Sequence, residues 1–254
     1  MVAPTPEIPA PPWRRSRSSS GRRPLSQDAI VDAALAVLDR EGLEAVSMRR
    51  IAEELGTGAA SLYAHVANKD ELLDLAYDRI VGEIRLPEPP DPDRWQDQIR
   101  ELARESYRVL STHGEIAQVA LANVPTGPNA LRITDTMLGI LISAGMPPQQ
   151  AAWAVDRIGL YLTSDAYEGS LYRARQRAMG ATEDEFIQQY FGQLGDYFRS
   201  LPAARFPFFT AHIDEMMSGG GDERFEFGLE LLIGGLARLV PARPARGQGA
   251  PTGE

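Results

Sequence analysis

Residues 47–71 read SMRRIAEELGTGAASLYAHVANKDE, and the fold turns on them. Met48, Ile51, Ala52 and Leu55 recur at helical spacing and predict a short helix opened by Ser47, a good N-cap. Gly56 stops it, because glycine adopts the left-handed geometry of a helix end at little cost. A second short helix is predicted over about residues 58–66. Leu62 and Val66, four apart, face the core, while Ala59, Ala60, Ser61, Tyr63 and His65 lie outward. Two short helices joined by a tight turn make a helix-turn-helix, the arrangement that lays its second helix in the major groove of DNA.

Outward from this stretch, Asn68-Lys69-Asp70-Glu71 predicts a capping box, with Asn68 as cap and Glu71 reaching back. The helix it opens carries Leu72, Leu73, Ala76, Ile80 and Ile84 toward Pro87. On the other side Ser26 caps a helix whose buried face is Ile30, Val31, Ala34, Leu35 and Leu38, ending near Gly42. Residues 26–84, and above all LGTGAASLYAHVANKDELL, resemble the DNA-binding domain of the TetR family of bacterial transcriptional regulators. Leu55-Gly56, Leu62-Tyr63, His65-Val66 and Asn68-Lys69 stand where the family pattern has them. DERFEFGLELLIGGLARL, residues 222–239, further resembles the subgroup whose regulatory domain is similar to that of the tetracycline repressor. The resemblance implies an all-α protein, a three-helix helix-turn-helix domain followed by a larger helical ligand-binding and dimerisation domain. It also implies a sequence-specific regulator, a repressor released from a palindromic operator by a small-molecule effector.

Composition sets bounds on this reading. A chain of 254 residues, 43% hydrophobic and 24% charged, can bury one sizeable core or two smaller ones. Four segments are expected: a basic arm without fold at 1–25, the DNA-binding domain at 26–86, the effector and dimerisation domain at 87–240, and an unfolded tail at 241–254. PEPPDPD, residues 87–93, breaks all helices. Beyond it helices are predicted over residues 95–110, 116–121, 129–144, 147–177, 184–201 and 222–239, and no alternating strand pattern persists. No run reaches membrane-spanning length, and prolines interrupt the N-terminal stretch where a secretory signal needs an apolar core, so the expected location is the cytoplasm and no membrane partner is expected. The chain has no cysteine, which excludes disulfides, thiolate nucleophiles and sulfur-ligated zinc.

A net charge of −9 at first argues against DNA, whose affinity comes from cations set against phosphates. Its distribution argues otherwise. Residues 1–25 hold five arginines against one acid, residues 26–85 six cations against twelve acids, and the remainder 15 against 22. An acidic body discourages nonspecific binding and leaves contact to placed residues. Arg14, Arg15, Arg17, Arg22 and Arg23 form an arm that either tracks phosphates or the minor groove, or is a solvated tail.

The DNA-binding residues expected are Arg49, Gly58, Ala59, Ala60, Ser61, Tyr63, His65 and Lys69. Arg49 lies in the first turn of its helix, where an arginine grips a phosphate or a guanine edge; Arg50 beside it is the competing candidate. The small residues let the backbone approach the groove and offer alanine methyls to thymine. Tyr63 and His65 face DNA on the strength of the resemblance, although Tyr63 could equally pack half into the core. Lys69 opens a helix whose backbone amides also attract phosphate.

For the second domain the resemblance implies an effector cavity and a homodimer. Trp95, Tyr107, Trp153, Tyr161, Tyr167, Tyr172, Phe208 and Phe209 could line an apolar pocket, with Tyr107, Asn123, Trp153, Tyr161 and Glu168 as the effector contacts. The last helix strings Phe225, Leu229, Leu232, Leu236 and Leu239 along one stripe, with Gly228, Gly234 and Gly235 permitting close approach. The expected dimer interface is Trp153, Ile158, Phe225, Leu229, Leu232 and Leu236, against ordinary packing within the chain. Where the tetracycline repressor has a metal-binding histidine, VALANVPT here supplies Ala120, so neither a magnesium-tetracycline effector nor any cofactor or metal is expected. The enzyme reading is weak: His113 and His212 lack an acid at triad or metal spacing, and there is no glycine-rich phosphate loop. The competing functional class is a helical scaffold or ligand-binding protein that no longer binds DNA specifically.

Overall fold

The computed structural model describes residues 25–241 apart from 88 and 123, and every regular element among them is helical. The arginine arm, the C-terminal tail and Asn123 lie outside the described residues. Helix α1, Gln27–Glu41, starts where the Ser26 hydroxyl accepts the Ala29 N–H at 3.2 Å and ends at Gly42, whose φ is +89°. Ser47 caps α2, Met48–Glu54, in the same way through the Arg50 N–H. Gly56, at φ +61°, turns the chain toward α3. Helix α3 is Ala59–Leu62, a turn shorter than the expected 58–66. After it the His65 and Val66 amides both fold back onto the Leu62 carbonyl, which buries Val66 beneath the turn. Asn68 caps α4, Lys69–Val81, by accepting the Glu71 N–H at 2.8 Å, and the Glu71 carboxylate reaches back to the Ala67 N–H.

Helix α4 belongs to both halves of the molecule. Leu72, Ala76, Ile80 and Val81 are buried in it, and it packs on α1 as well as on three helices of the second half: α5, Trp95–Thr112; α6, Ala117–Ala122; and α7, Pro128–Ser143. One hydrophobic cluster accordingly runs from Ile30 to Ile233 without a break. The proline linker is held by Gln98 of α5, which donates to the Pro89 carbonyl and accepts the Asp91 N–H.

The long α8, Pro148–Met179, begins on a proline that needs no N–H partner and closes on Gly180 in the left-handed region. Its buried side chains, Ala151, Ala154, Ile158, Leu162 and Ala166, follow the 3–4 spacing of a helix lying across others. The helix expected over 184–201 is divided into α9, Glu183–Phe186, a π-helical turn at Ile187–Phe191, and α10, Gly192–Arg199. Residues 207–217 add two single-turn helices, α11 at Pro207–Ala211 and α12 at Ile213–Met217. Helix α13, Gly221–Leu236, packs Phe225, Leu229 and Ile233 against α5 and α8.

Candidate nucleic-acid interface and effector pocket

The two arginines of α2 differ sharply. Arg50 is enclosed in a square of alternating charge with Arg40, Glu41 and Glu54: its guanidinium lies 2.7 Å from Glu41 and 2.8 Å from Glu54, and Arg40 pairs with the same two carboxylates. The hydrogen bonds from Arg50 and then Arg40 pull the Glu41 carboxyl down to about 2. The square fastens the end of α1 to α2 and leaves Arg50 facing the protein. The Arg49 side chain is 89% exposed against 27% for Arg50, and touches Glu53 one turn along. Gly58, Ala60, Ser61, Tyr63 and His65 are exposed beside it, Ala59 and Lys69 are half-buried, and Leu62 and Val66 anchor the segment from beneath. A Cβ on Gly58 would meet nothing within 4 Å, so the surface there is open to a partner. Gln27 is a contact the sequence did not announce: its side-chain amide donates to the His65 carbonyl at 3.2 Å, tying the start of α1 to the recognition turn.

Three polar links join this unit to the second half. Asp78, buried on α4, accepts the backbone N–H groups of Asn129 and Ala130 at 3.0 Å and the Asn129 amide at 3.1 Å, so a residue of α4 caps α7. Gly127 makes this possible: a Cβ there would stand 2.2 Å from an Asp78 carboxylate oxygen. Glu115 accepts the Leu43 N–H at 2.8 Å, with Arg177 of α8 at 3.8 Å. His113 lies between Asp39 and Glu83, at 3.6 and 3.4 Å. Next to Asp78, a cavity of about 10 Å³ opens among Asp74, Tyr77, Val119, Ala120 and Thr126, room for one water rather than an effector. Burial pushes the Tyr77 hydroxyl up to about 12, and the Asp78 charge adds to this.

In the second half, Tyr107 of α5, Phe225 of α13 and Tyr161 of α8 stack nearly parallel, with centroid separations of 4.0 and 5.7 Å. The Tyr161 hydroxyl donates to the Phe225 carbonyl at 2.6 Å. Along α8 follow Asp165, raised by burial, then Glu168 and Tyr172 in contact, and Arg173, lowered by burial and donating to the Ser111 carbonyl. Asp165 and Arg173 were not among the expected contacts; both sit on the polar side of an amphipathic pattern that fits solvent equally well.

Several expected contacts lie elsewhere. Trp153 is 62% exposed on the outer stripe of α8 and Phe208 is 83% exposed on α11, so neither faces an interior. Ile158, Phe225 and Leu229 are buried within the chain itself, and Leu232 and Leu236 are half-buried. Gly228 admits the Tyr161 ring of the same chain, since a Cβ would lie 2.4 Å from its hydroxyl, whereas Gly234 and Gly235 face open space. The apolar residues these helices leave uncovered include Trp153 and Leu160 in the first half of α8, Leu171 and Met179 further along it, and Phe227 and Leu231 on α13. Among the described residues no three of His, Cys, Asp and Glu come together as a metal site, and no helix is long and apolar enough to cross a membrane.

An exposed helix-turn-helix face joined by one shared helix to a separate helical domain defines a DNA-binding regulator of the two-domain, all-helical class. Residues 30–76 match the family described as bacterial regulatory proteins, tetR family, and residues 86–240 match the tetracyclin repressor-like C-terminal domain. The chain belongs to the TetR family of transcriptional regulators. It is 33% identical to the HTH-type transcriptional repressor DrrR1 of Streptomyces coeruleorubidus over 92% of this chain and 85% of that one. It is also similar to apo ActR of Streptomyces coelicolor, at 40% identity and a TM-score of 0.75, covering 87% of this chain and 100% of ActR. ActR in complex with actinorhodin is similar at 42% identity and a TM-score of 0.73, over 84% of this chain and 96% of that one.

Proposed function

We propose that the chain is a homodimeric repressor that holds a two-fold operator through Arg49, Gly58, Ala59, Ala60, Ser61, Tyr63, His65 and Lys69, and leaves it when a small molecule binds the second domain. The observation that carries this is the recognition segment itself. Leu62 and Val66 are fully sunk, so the backbone between them is rigidly presented, and every larger side chain on it points away from the core. One such segment reads too few bases to be specific, while a two-fold pair reads two half-sites about 34–36 Å apart or a multiple of that.

The effector site we infer lies around Tyr107, Tyr161, Asp165, Glu168, Tyr172 and Arg173. Flat aromatic walls with a carboxylate and a guanidinium suit a planar aromatic effector bearing polar substituents. Binding there shifts α7, and Asp78 passes the shift to α4, which carries Lys69 and the recognition turn. The effector must bind the DNA-incompetent arrangement more tightly for this to happen.

Selection of bound sites from random duplex DNA by the purified protein tests the reading. The expected result is one enriched palindrome, bound at least about tenfold more weakly by Tyr63→Ala and by Lys69→Ala, the loss of one contact to a charged group being worth roughly 1.5–3 kcal/mol. Actinorhodin and (S)-DNPA, which are bound in ActR structures, are the first effectors to add. Absence of any enriched sequence would sink the regulator reading.

A further inference from the structure

Helix α8 carries a charge into its own packing seam. Leu162, Ala166 and Ser170 are buried along α8, which packs on α5, and the next step of that spacing is Arg173, half-buried where an apolar side chain would be expected. Gly169 makes room for it: a Cβ there would stand 3.3 Å from an Arg173 terminal nitrogen. The guanidinium donates to the Ser111 carbonyl at 2.9 Å, in the last turn of α5, where a cation suits the helix end. That bond uses one of five N–H donors. Among the described residues no carboxylate pairs with Arg173. The ionisable groups that act on it are Tyr107, at one end of the aromatic stack, and Arg177, a turn further along α8. Neither brings a negative charge, since burial raises the Tyr107 hydroxyl. Ser111 also keeps its hydroxyl oxygen buried without a hydrogen-bond partner.

A guanidinium stays charged in proteins, and a charge drawn out of water costs free energy unless an opposite charge meets it. The two acids earlier on α8 do not meet this one: burial raises Asp165, and Glu168 touches Tyr172. A counter-charge brought by a ligand would. The planar fork of an arginine matches both oxygens of a carboxylate at once, and Tyr107 sets that fork beside the aromatic walls described above. The place matters for regulation too. The carbonyl that Arg173 holds leads directly into the segment that grips the DNA-binding half, through the Glu115 bond to the Leu43 N–H and through His113 between Asp39 and Glu83. An anion that takes the guanidinium therefore works at the joint between the two halves.

We propose that the effector is an aromatic carboxylic acid and that Arg173 binds its carboxylate; this rests on the effector site inferred above. The test is titration calorimetry of the full chain with anthraquinone-2-carboxylate and with its uncharged counterpart, anthraquinone-2-carboxamide. Wild type, Arg173→Gln and Arg173→Lys are compared. The wild type should bind the acid at least about tenfold more tightly than the amide, the factor that one hydrogen bond to a charged group supplies. Arg173→Gln should bind the two compounds alike. Arg173→Lys keeps the charge and should keep a preference for the acid, which a role in packing alone would not restore. Equal binding of acid and amide by the wild type would overturn the assignment without recourse to any variant. So would a preference for the acid that survives unchanged in Arg173→Gln. Should neither compound bind the wild type, the inferred effector site itself fails, and the role of Arg173 falls with it.

Discussion

Arg49 and Arg50 are adjacent and chemically identical, yet one projects from α2 and the other closes a square with Arg40, Glu41 and Glu54. The difference is one of partners: Glu54 lies a turn beyond Arg50, and Glu41 comes to it from the end of α1. The square has a pH signature. Glu41 is held at about 2 in the fold against 4.5 ordinarily, first by Arg50 and then by Arg40. A carboxyl lowered by folding adds stability above its unfolded value and loses it as pH falls, here between about 4.5 and about 2. The group is exposed, so solvent screening keeps the effect small. Arg50→Gln removes the larger cause, and acid unfolding followed by circular dichroism should show a shallower loss of stability through that window. Superimposable acid profiles for the two proteins would mean that the square contributes nothing.

Helix α4 is the element on which the two halves depend together, and its firmest attachment is Asp78. Asp78→Ala would leave two backbone N–H groups at the start of α7 without a partner, at about 1–3 kcal/mol, which for a chain of this size lowers Tm by roughly 3–10 °C. Gly127→Ala should cost a similar amount, because its Cβ would occupy the space of the Asp78 carboxylate. The two changes act on one contact, so the double variant should lose less than the sum; strict additivity in calorimetry would separate the sites. This link was not legible in the sequence. Asp78 and Asn129 are 51 residues apart, and an acid on an amphipathic helix reads as solvated until its neighbour is known. What was legible is local: the caps at Ser26, Ser47 and Asn68, the stop at Gly56 and the long period of α8 all follow from neighbouring residues. The π turn at Ile187–Phe191 escaped because it inserts an extra residue into a pattern that otherwise stays helical.

At the scale of the whole molecule, one core joins the DNA-facing end to α13, so a displacement in either half is felt as repacking in the other. Periodicity identified the residues of α13 that share a face, but not the neighbour that covers that face. Phe225 and Leu229 are covered by α5 and α8 of the same chain, and Phe227 and Leu231 are left on the outside. The proposed homodimer therefore predicts that Leu231→Glu, more than Leu232→Glu, shifts the protein to monomer in analytical ultracentrifugation and weakens operator binding with it. A Leu231→Glu protein that remains dimeric would move the interface elsewhere. Lys69 is the chain's only lysine, and it opens α4 beside the recognition turn. Apart from a free amino terminus, an amine-directed fluorophore or crosslinker has one place to react, so the molecule comes ready for labelling where occupancy by DNA should change the signal.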